Sequence, residues 1–575
     1  MKIVAAQLVL FGLLMTFRCQ REVVATRSAP NIVFILADDL GYGDVGFHGS
    51  TVIRTPTLDR LAYSGVRLNN YYVQPICTTT RSQLLSGRYQ IHTGLQHRAI
   101  YPCQPNGLPE HMPTLATMLR DAGYATHMVG KWHVGFYKKQ LLPTRRGFDS
   151  FFGILNGRGD YYSHSLCTDV GRSLSMWELN EYLLSSPDKR RMRHSVCGYD
   201  LRSNETAVNY SGQYSTHLFT RRAIDVIKSH ARKQDSKPLF LYLAYQTVHS
   251  PLQVPEFYTK PYASIEDKNR RIYAGMTACL DEGVLNVTTA LEKYGLWNNT
   301  IVIFSTDNGG EVAFGGNNWP LRGWKRSLWE GGVRGVGFVH SPLIRRRGTV
   351  NNGLIDVNDW FPTLLGLTGR DTAGLNVDGL DVWKSISDGK PSPRKELLHN
   401  IDPLLPRRGP RLNISKFDNR IRAAIRVGNW KLITGNPLQG SWIAPPEDTT
   451  GCQSIPDPDP KSKNIRLFDV SNDPNEKIDL FDSRRDIAVQ MLNRLAEYQA
   501  TAVPARYPLN DLRCDPKHHN GFWGPWVHAE KLSGASKASL IYNVSVCRPI
   551  FFVFIFLYLT FPSFASRLIM ISDWG

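Results

Sequence analysis

The chain has 575 residues, a hydrophobic fraction of 42% and a formal net charge of +18 at pH 7, as expected for a globular protein with a large core. The positive charge indicates either an acidic partner or a basic solvated surface, and the sequence has no basic low-complexity arm or nucleic-acid motif that would favour nucleic acid. Nine cysteines exclude a disulfide-dense scaffold and allow a few disulfides in an oxidising compartment.

Residues 1–25 have the layout of a secretory signal peptide. Lys2 precedes the apolar run IVAAQLVLFGLLMTF, and polar residues follow it. A short membrane anchor is the alternative. Six Asn-x-Ser/Thr sequons are compatible with passage through the secretory pathway, at Asn204, Asn209, Asn286, Asn298, Asn413 and Asn543.

Residues 28–395 alternate between apolar runs of strand length and amphipathic stretches. This pattern predicts an α/β domain with a large, mostly parallel sheet flanked by helices. The predicted elements are the strand NIVFILA, the helix PTLDRLAYSG, the strand VRLNNYYVQ, the helix MPTLATMLRDAG, the strand YATHMVG, the helix THLFTRRAIDVIKSH, the strand PLFLYLAYQ, a long helix from about Asp267 to Tyr294 and the strand TIVIFST.

Residues 396–530 predict a smaller α+β domain with antiparallel strands in IRAAIRVGNWKLITG and KNIRLFDV and a helix in RRDIAVQMLNRLAEYQ. The tail, residues 531–575, contains the apolar segment 550–564. A membrane span, a GPI signal and an alternative terminus all remain open for this segment.

Reactive side chains follow the carboxyl ends of several predicted strands. In open α/β sheets ligands bind at that edge, because the loops there converge on one crevice. Carboxylate and amide oxygens at these positions suit Ca²⁺ or Mg²⁺ better than zinc, although a capped turn would also explain one acidic pair. The residues are Asp38, Asp39, Cys77, Lys131, His133, His249, Asp307 and Asn308.

Cys77 opens the segment CTTTRSQLLSGR, with Arg81 four residues later. It could be a thiol nucleophile with a histidine base, half of a disulfide, or a chemically modified residue. A metal site made of carboxylates is not part of a thiol mechanism, and a disulfide would not need Arg81.

Between about Pro30 and Trp526 the chain resembles the type I sulfatases of the alkaline phosphatase superfamily. The resemblance lies in PNIVFILADDLGYGDVGFHGS, CTTTRSQLLSGR, GYATHMVGKWHVG, TVHSPLQVP, FSTDNGG and LRGWKRSLWEGGVR. WKRSLWEGGVR and LLHNIDP are most similar to the group of arylsulfatase B (N-acetylgalactosamine-4-sulfatase) and arylsulfatases I and J. The resemblance implies an alkaline-phosphatase-like sulfatase fold, sulfuric ester hydrolase activity and a lysosomal or extracellular location.

The resemblance also implies how the site works. The formylglycine-generating enzyme would oxidise Cys77 to Cα-formylglycine, whose hydrated aldehyde attacks sulfur. One Ca²⁺ would be held by Asp38, Asp39, Asp307, Asn308 and the modified Cys77. Arg81 would hold the diol, Lys131 and Lys325 would grip the sulfate, His133 would orient or deprotonate the diol, and His249 would lie beside the leaving oxygen.

The resemblance implies a sulfated carbohydrate as the substrate, specifically N-acetylgalactosamine 4-sulfate of chondroitin or dermatan sulfate, and aryl sulfates as artificial substrates. Thr79 departs from the family motif, which usually has proline there to present the cysteine for modification.

Two alternative functions remain. One is a basic glycosaminoglycan-binding pseudoenzyme with unmodified Cys77. The other is a phosphodiesterase or phosphatase of the same superfamily, which would use Ser or Thr as its nucleophile and usually two metal ions.

The resemblance further implies two disulfides, Cys103–Cys514 and Cys167–Cys197. Cys279 falls on the apolar face of a predicted helix, so we expect it to be buried and free.

Overall fold

The structure, a computed structural model, describes residues 29–170, 195–233, 237–447 and 451–527, all within one compact unit. The predicted signal peptide and the tail with its apolar segment 550–564 lie outside the described residues. Within those described ranges, no helix has the length and apolarity needed to cross a membrane.

The secondary structure alternates between strands and helices in the first two thirds of the chain. The strands are β1 (Asn31–Ala37), β2 (Val66–Leu68), β3 (Tyr71–Tyr72), β4 (Ala125–Lys131), β5 (Ser150–Ile154), β6 (Ser165–Asp169), β7 (Ser195–Tyr199), β8 (Arg202–Ser203), β9 (Thr206–Ala207), β10 (Leu239–Ala244), β11 (Thr300–Thr306), β12 (Gly337–His340), β13 (Thr349–Asn351), β14 (Ile355–Asp356), β15 (Glu396–Asp402), β16 (Arg422–Val427), β17 (Trp430–Thr434) and β18 (Ile465–Asp469). The α-helices are α1 (Pro56–Ser64), α2 (Cys77–Ser86), α3 (Gln90–Thr93), α4 (Leu115–Asp121), α5 (Ser215–Arg232), α6 (Lys268–Lys293), α7 (Glu330–Val333), α8 (Trp360–Gly366), α9 (Trp383–Asp388) and α10 (Arg485–Thr501).

Ten strands form one large sheet in the order β13-β2-β12-β11-β1-β10-β4-β5-β8-β9. The adjacent strands β11, β1, β10, β4 and β5 run parallel, whereas β12 is antiparallel to β11 and to β2. The prediction of a mixed, mostly parallel sheet flanked by helices is confirmed. Because neighbouring strands are parallel, the carboxyl ends of β11, β1, β10 and β4 meet at one edge.

Both faces of the large sheet are buried, which explains why β1 is a continuous apolar run and does not alternate with polar residues. Ile32 and Phe34 pack into one apolar cluster with α2, α4 and α8, and Val33 and Ile35 pack into another with α1, α5 and α6. The long predicted helix is α6, and Asp267 caps it by accepting a hydrogen bond from the Arg270 amide at 2.7 Å.

The segment VRLNNYYVQ was wrongly predicted as one strand. It forms β2 in the large sheet and β3 in a separate pair with β14. The chain turns at Asn69 and Asn70, where Nη2 of Arg334 donates to the Asn69 carbonyl at 2.8 Å. A contact from a residue so distant in sequence is not visible in local patterning.

The C-terminal region has its own four-stranded antiparallel sheet, β15-β16-β17-β18, with α10 packed on it through Ala488, Leu492 and Leu495. These elements match the predicted strands and helix. The proposed domain boundary at residues 395 and 396 stays a prediction.

The cysteine predictions are confirmed. The disulfides are Cys103–Cys514 and Cys167–Cys197, and Cys279 is buried with a free thiol. The five sequon asparagines among the described residues are all exposed, as glycan attachment requires: Asn204, Asn209, Asn286, Asn298 and Asn413.

Candidate active site

The ends of β1 and β11 bring acidic residues together at the edge of the large sheet. Asp38 and Asp39 follow β1, and Asp307 and Asn308 follow β11. The Asp39 amide donates to Asp307 Oδ1 at 3.2 Å, and Asn308 Nδ2 donates to Asp39 Oδ1 at 2.8 Å. The four predicted oxygen ligands therefore form one buried group.

Helix α2 directs Arg81 into this group. Cys77 is its first residue, and Arg81 lies one helical turn later on the same face. The fully buried guanidinium lies 2.9 Å from Asp307 Oδ2 and 3.2 Å from Asp38 Oδ2, and it donates to the Lys131 carbonyl at 2.9 Å. Arg81 thus joins the ends of β1, β4 and β11.

Two lysines complete the charge balance of the site. Lys131 ion-pairs with Asp38, and Lys325 Nζ lies 2.6 Å from Asp39 Oδ2. Burial alone would lower the pKa of Lys325, but the Asp39 carboxylate raises it above its ordinary value. Three buried carboxylates therefore face three buried cations: Asp38, Asp39, Asp307, Arg81, Lys131 and Lys325.

The two histidines have defined hydrogen bonds. His133 Nε2 lies 3.0 Å from the Ile100 carbonyl, so this nitrogen carries the proton, and Nδ1 is buried without a partner among the described residues. His249 Nδ1 donates to the Ser250 carbonyl at 2.7 Å, which leaves Nε2 3.6 Å from Asp39 Oδ2. Burial lowers the pKa of both rings well below the ordinary value, so both are neutral at pH 7.

Cys77 is buried and free, and burial raises the pKa of its thiol. His133 Nε2 is engaged with Ile100 and lies 3.3 Å from Thr78 Oγ1. A buried thiol with a raised pKa is a poor nucleophile, so this environment disfavours unmodified thiol chemistry. Cys77 is not part of a disulfide among the described residues.

Sequence reasoning missed two threonines of the first turn of α2. Thr78 Oγ1 accepts the Ile100 amide at 3.1 Å, which fixes the carbonyl that holds His133. Thr80 Oγ1 donates to the Asp307 carbonyl at 2.5 Å. Their proximity to Cys77 was the available signal, but three consecutive threonines do not reveal which hydroxyls face the site.

The oxygen donors fit a hard divalent cation. Asp38 Oδ1 and Asn308 Oδ1 are buried and have no hydrogen-bond partner among the described residues. Burial and the neighbouring Asp307 carboxylate raise the pKa of Asp38, and a bound cation would favour its charged form. Ligand atoms of Asp38, Asp39 and His249 lie within 4.8 Å of one another, so His249 adjoins the predicted ligand set.

Comparison with known proteins shows the family to which the chain belongs. The sulfatase family profile matches residues 30–370. The chain is 47% identical to arylsulfatase J of Mus musculus over 523 residues, which cover 88% of this chain and 82% of the relative. The chain belongs to the sulfatase family. It is a sulfuric ester hydrolase of the arylsulfatase type.

More distant sulfatase relatives extend over the same region. Human N-acetylgalactosamine-6-sulfatase is 27% identical over 498 residues, covering 84% of this chain and 88% of the relative. The crystal structure of Ps i-CgsB in complex with k-i-k-neocarrahexaose is similar with a TM-score of 0.66 and 27% identity, covering 84% of this chain and 96% of that one.

Proposed function

We propose that this sulfatase releases sulfate from a sulfated carbohydrate, with N-acetylgalactosamine 4-sulfate of chondroitin or dermatan sulfate as its substrate. The nucleophile is Cα-formylglycine made from Cys77 by the formylglycine-generating enzyme, and Ca²⁺ is the bound ion. The protein acts in lysosomes or outside the cell. The name of the N-acetylgalactosamine-6-sulfatase relative and the oligosaccharide complex of Ps i-CgsB support a sugar substrate.

The observation that carries the proposal is the placement of Cys77 at the start of α2, beside buried cations and oxygen donors. Its thiol is poorly suited to attack as it stands, because burial raises its pKa. Conversion to an aldehyde hydrate would place two hydroxyl groups there and remove the need for a thiolate.

Asp38, Asp39, Asp307, Asn308 and the modified residue 77 would hold the ion. Ca²⁺ fits because the donors are oxygens and two of them have no other partner. When bound, the ion would supply positive charge that stabilises a sulfate oxygen and the ionised hydroxyl. The protein charges balance at three against three, so a divalent cation would make the site net positive and favour a sulfate monoester.

The hydrolysis would have two steps. One hydroxyl of the hydrate bonds to sulfur while the bond from sulfur to the ester oxygen breaks, and the alcohol leaves with a proton. The other hydroxyl then loses its proton, the carbonyl reforms, and the bond from carbon to the sulfate oxygen breaks. The regenerated aldehyde adds water and is ready for another cycle.

The protein groups have matching roles. Lys131 and Lys325 would bind sulfate oxygens by exchanging part of their contact with Asp38 and Asp39. His133 would accept the second proton at Nδ1, which is buried and has no hydrogen-bond partner among the described residues. His249 would adjoin the leaving oxygen through Nε2, and Arg81 would hold the hydrate and the carboxylates in place.

Peptide mass spectrometry tests this proposal on protein secreted by eukaryotic cells. The peptide 68–81 is expected to be lighter by about 18 Da than its thiol form, because oxygen replaces the thiol and a hydrogen. The same preparation should release sulfate from chondroitin 4-sulfate oligosaccharides. Finding only the thiol, in cells that convert another sulfatase, would overturn the enzyme mechanism and favour a glycan-binding pseudoenzyme.

A further inference from the structure

A cavity of about 940 Å³ lies apart from the strand-end site. Its walls come from residues 88–93, 107–112, 137–141, 376–378 and 501–506, and none of the active-site residues lines it. Cys77 begins α2, whereas Arg88 follows the other end of that helix, which is about 15 Å long. The cavity is therefore a second, separate concave surface.

The C-terminal wall of this cavity is fixed by backbone hydrogen bonds. The Val503 amide donates to the Ile91 carbonyl at 2.9 Å, and the Arg506 amide donates to the Gly94 carbonyl at 2.8 Å. Asn106 Nδ2 also donates to the Arg506 carbonyl at 2.9 Å. A preformed cavity of this volume is within the range of small-molecule sites.

Both carboxylates that line the cavity are already paired. Asp378 Oδ2 lies 2.7 Å from His92 Nδ1 and also accepts the Tyr89 amide at 2.8 Å. Glu110 Oε1 lies 3.0 Å from Lys138 Nζ at the exposed rim. Each carboxylate in the wall therefore has its own basic partner, His92 or Lys138.

Two arginines that line the cavity have no carboxylate partner among the described residues. Arg88 is half-buried, and its Nε is fully buried without a hydrogen bond. Arg506 donates Nη2 to the Gly107 carbonyl at 2.9 Å and forms no ion pair in the described ranges. Arg88 Nε is thus a buried donor without an acceptor, and the exposed Arg506 guanidinium has no carboxylate partner in those ranges, so an anion bound here would accept hydrogen bonds from both side chains.

The rest of the wall suits a sugar. Tyr137, Leu141, Val377 and Val503 contribute apolar groups to the wall. Sugar rings have apolar faces and polar edges, which match a wall that combines such side chains with hydrogen-bonding groups.

We propose that this cavity is a second binding site for an anionic segment of a sulfated glycan, held by Arg88 and Arg506. The inference rests on the proposed function, because it concerns the same substrate class. Guanidinium groups pair with sulfate and carboxylate groups through two parallel hydrogen bonds. A glycan long enough to contact both sites should bind more tightly than a substrate that contacts the active site alone.

The test is calorimetric titration of the full chain with a chondroitin 4-sulfate oligosaccharide, in a Cys77→Ala background that does not consume the ligand. Two binding events are expected. Arg88→Gln and Arg506→Gln should each weaken one event by about tenfold, because each loses a charged hydrogen bond. The matched control is Arg485→Gln, which removes an exposed arginine outside the cavity.

Kinetics provides the second measurement. In the active enzyme, both cavity variants should raise KM for the glycan and leave kcat and KM for a small aryl sulfate unchanged. The inference is overturned if both variants behave like Arg485→Gln, or if inorganic sulfate binds the cavity as tightly as the oligosaccharide. Failure of the proposed function looks different, since no glycan would then release sulfate, whatever binds the cavity.

Discussion

Thr79 is the residue at which this chain departs from the usual sulfatase motif. It lies in the first turn of α2, where backbone amides have no intrahelical partner, so proline removes no hydrogen bond of the helix. Its Oγ1 donates to the Ile76 carbonyl at 2.6 Å, but that carbonyl also accepts the Thr80 amide. We predict that Thr79→Pro raises the aldehyde fraction at Cys77 and changes the free energy of unfolding by about 1 kcal/mol or less.

The matched variant is Thr79→Ala, which loses the same hydroxyl without fixing φ. Peptide mass spectrometry of both variants gives the ratio of aldehyde to thiol. An equal rise in the two variants would show that the hydroxyl, and not the backbone restriction, limits modification.

The four-stranded C-terminal sheet is joined to the active-site region by a buried charge cluster. Lys431 of β17 lies 2.8 Å from Glu330 Oε1 at the start of α7 and 2.9 Å from Glu476 Oε1. The same short helix contacts the loop that follows β11, because the Gly332 carbonyl accepts the Gly309 amide at 3.1 Å. The cluster therefore connects the second sheet to the residues that follow β11.

We predict that Lys431→Met lowers the free energy of unfolding by about 3 kcal/mol, because it leaves two buried carboxyl groups without their shared cation. Denaturant unfolding measures the loss. The triple variant Lys431→Met, Glu330→Gln and Glu476→Gln should recover part of it, because no carboxylate then lacks the Lys431 cation, although Arg334 loses its ion pair with Glu330. Additive losses in the three substitutions would contradict the coupling.

The same elements show what the sequence could predict. β1, β10 and β11 are long apolar runs with polar residues after them, so both these strands and the convergence of their ends were predictable. The order of strands in the sheet, the turn at Asn69 and the cluster around Lys431 depend on contacts between distant segments. Local patterning contains no record of those contacts, and family motifs supplied the roles of Arg81 and Lys325.

At the scale of the whole molecule, buried ionisable groups oppose one another in their response to pH. Burial raises the pKa of Asp200 and of Asp356 to about 7. Burial lowers the pKa of His127 and of His340 to about 4. As pH falls from 7 to 5, the contribution of these carboxyl groups to the free energy of unfolding rises, and the contribution of these histidines falls.

The sign of each contribution follows from which state binds the proton. Folded Asp200 binds a proton below about pH 7 and unfolded aspartate only below about 4, so its stabilisation is lost as pH rises through 7. Unfolded histidine binds a proton below about 6.5 and folded His127 only below about 4, so stability is lost as pH falls between those values. Because the two contributions have opposite signs, they reduce the net pH dependence of the free energy of unfolding in acidic conditions.

We therefore predict opposite pH slopes for two substitutions measured by denaturant unfolding between pH 5 and 7. The stability advantage of the wild type over Asp200→Asn should shrink as pH rises, and its advantage over His127→Asn should grow, each by up to about 1 kcal/mol per pH unit. Asp482→Asn, at an exposed carboxylate, is the control with no such slope expected. Slopes of the same sign at Asp200 and His127 would contradict the assignment, because a raised carboxyl pKa and a lowered histidine pKa change proton uptake on unfolding in opposite directions.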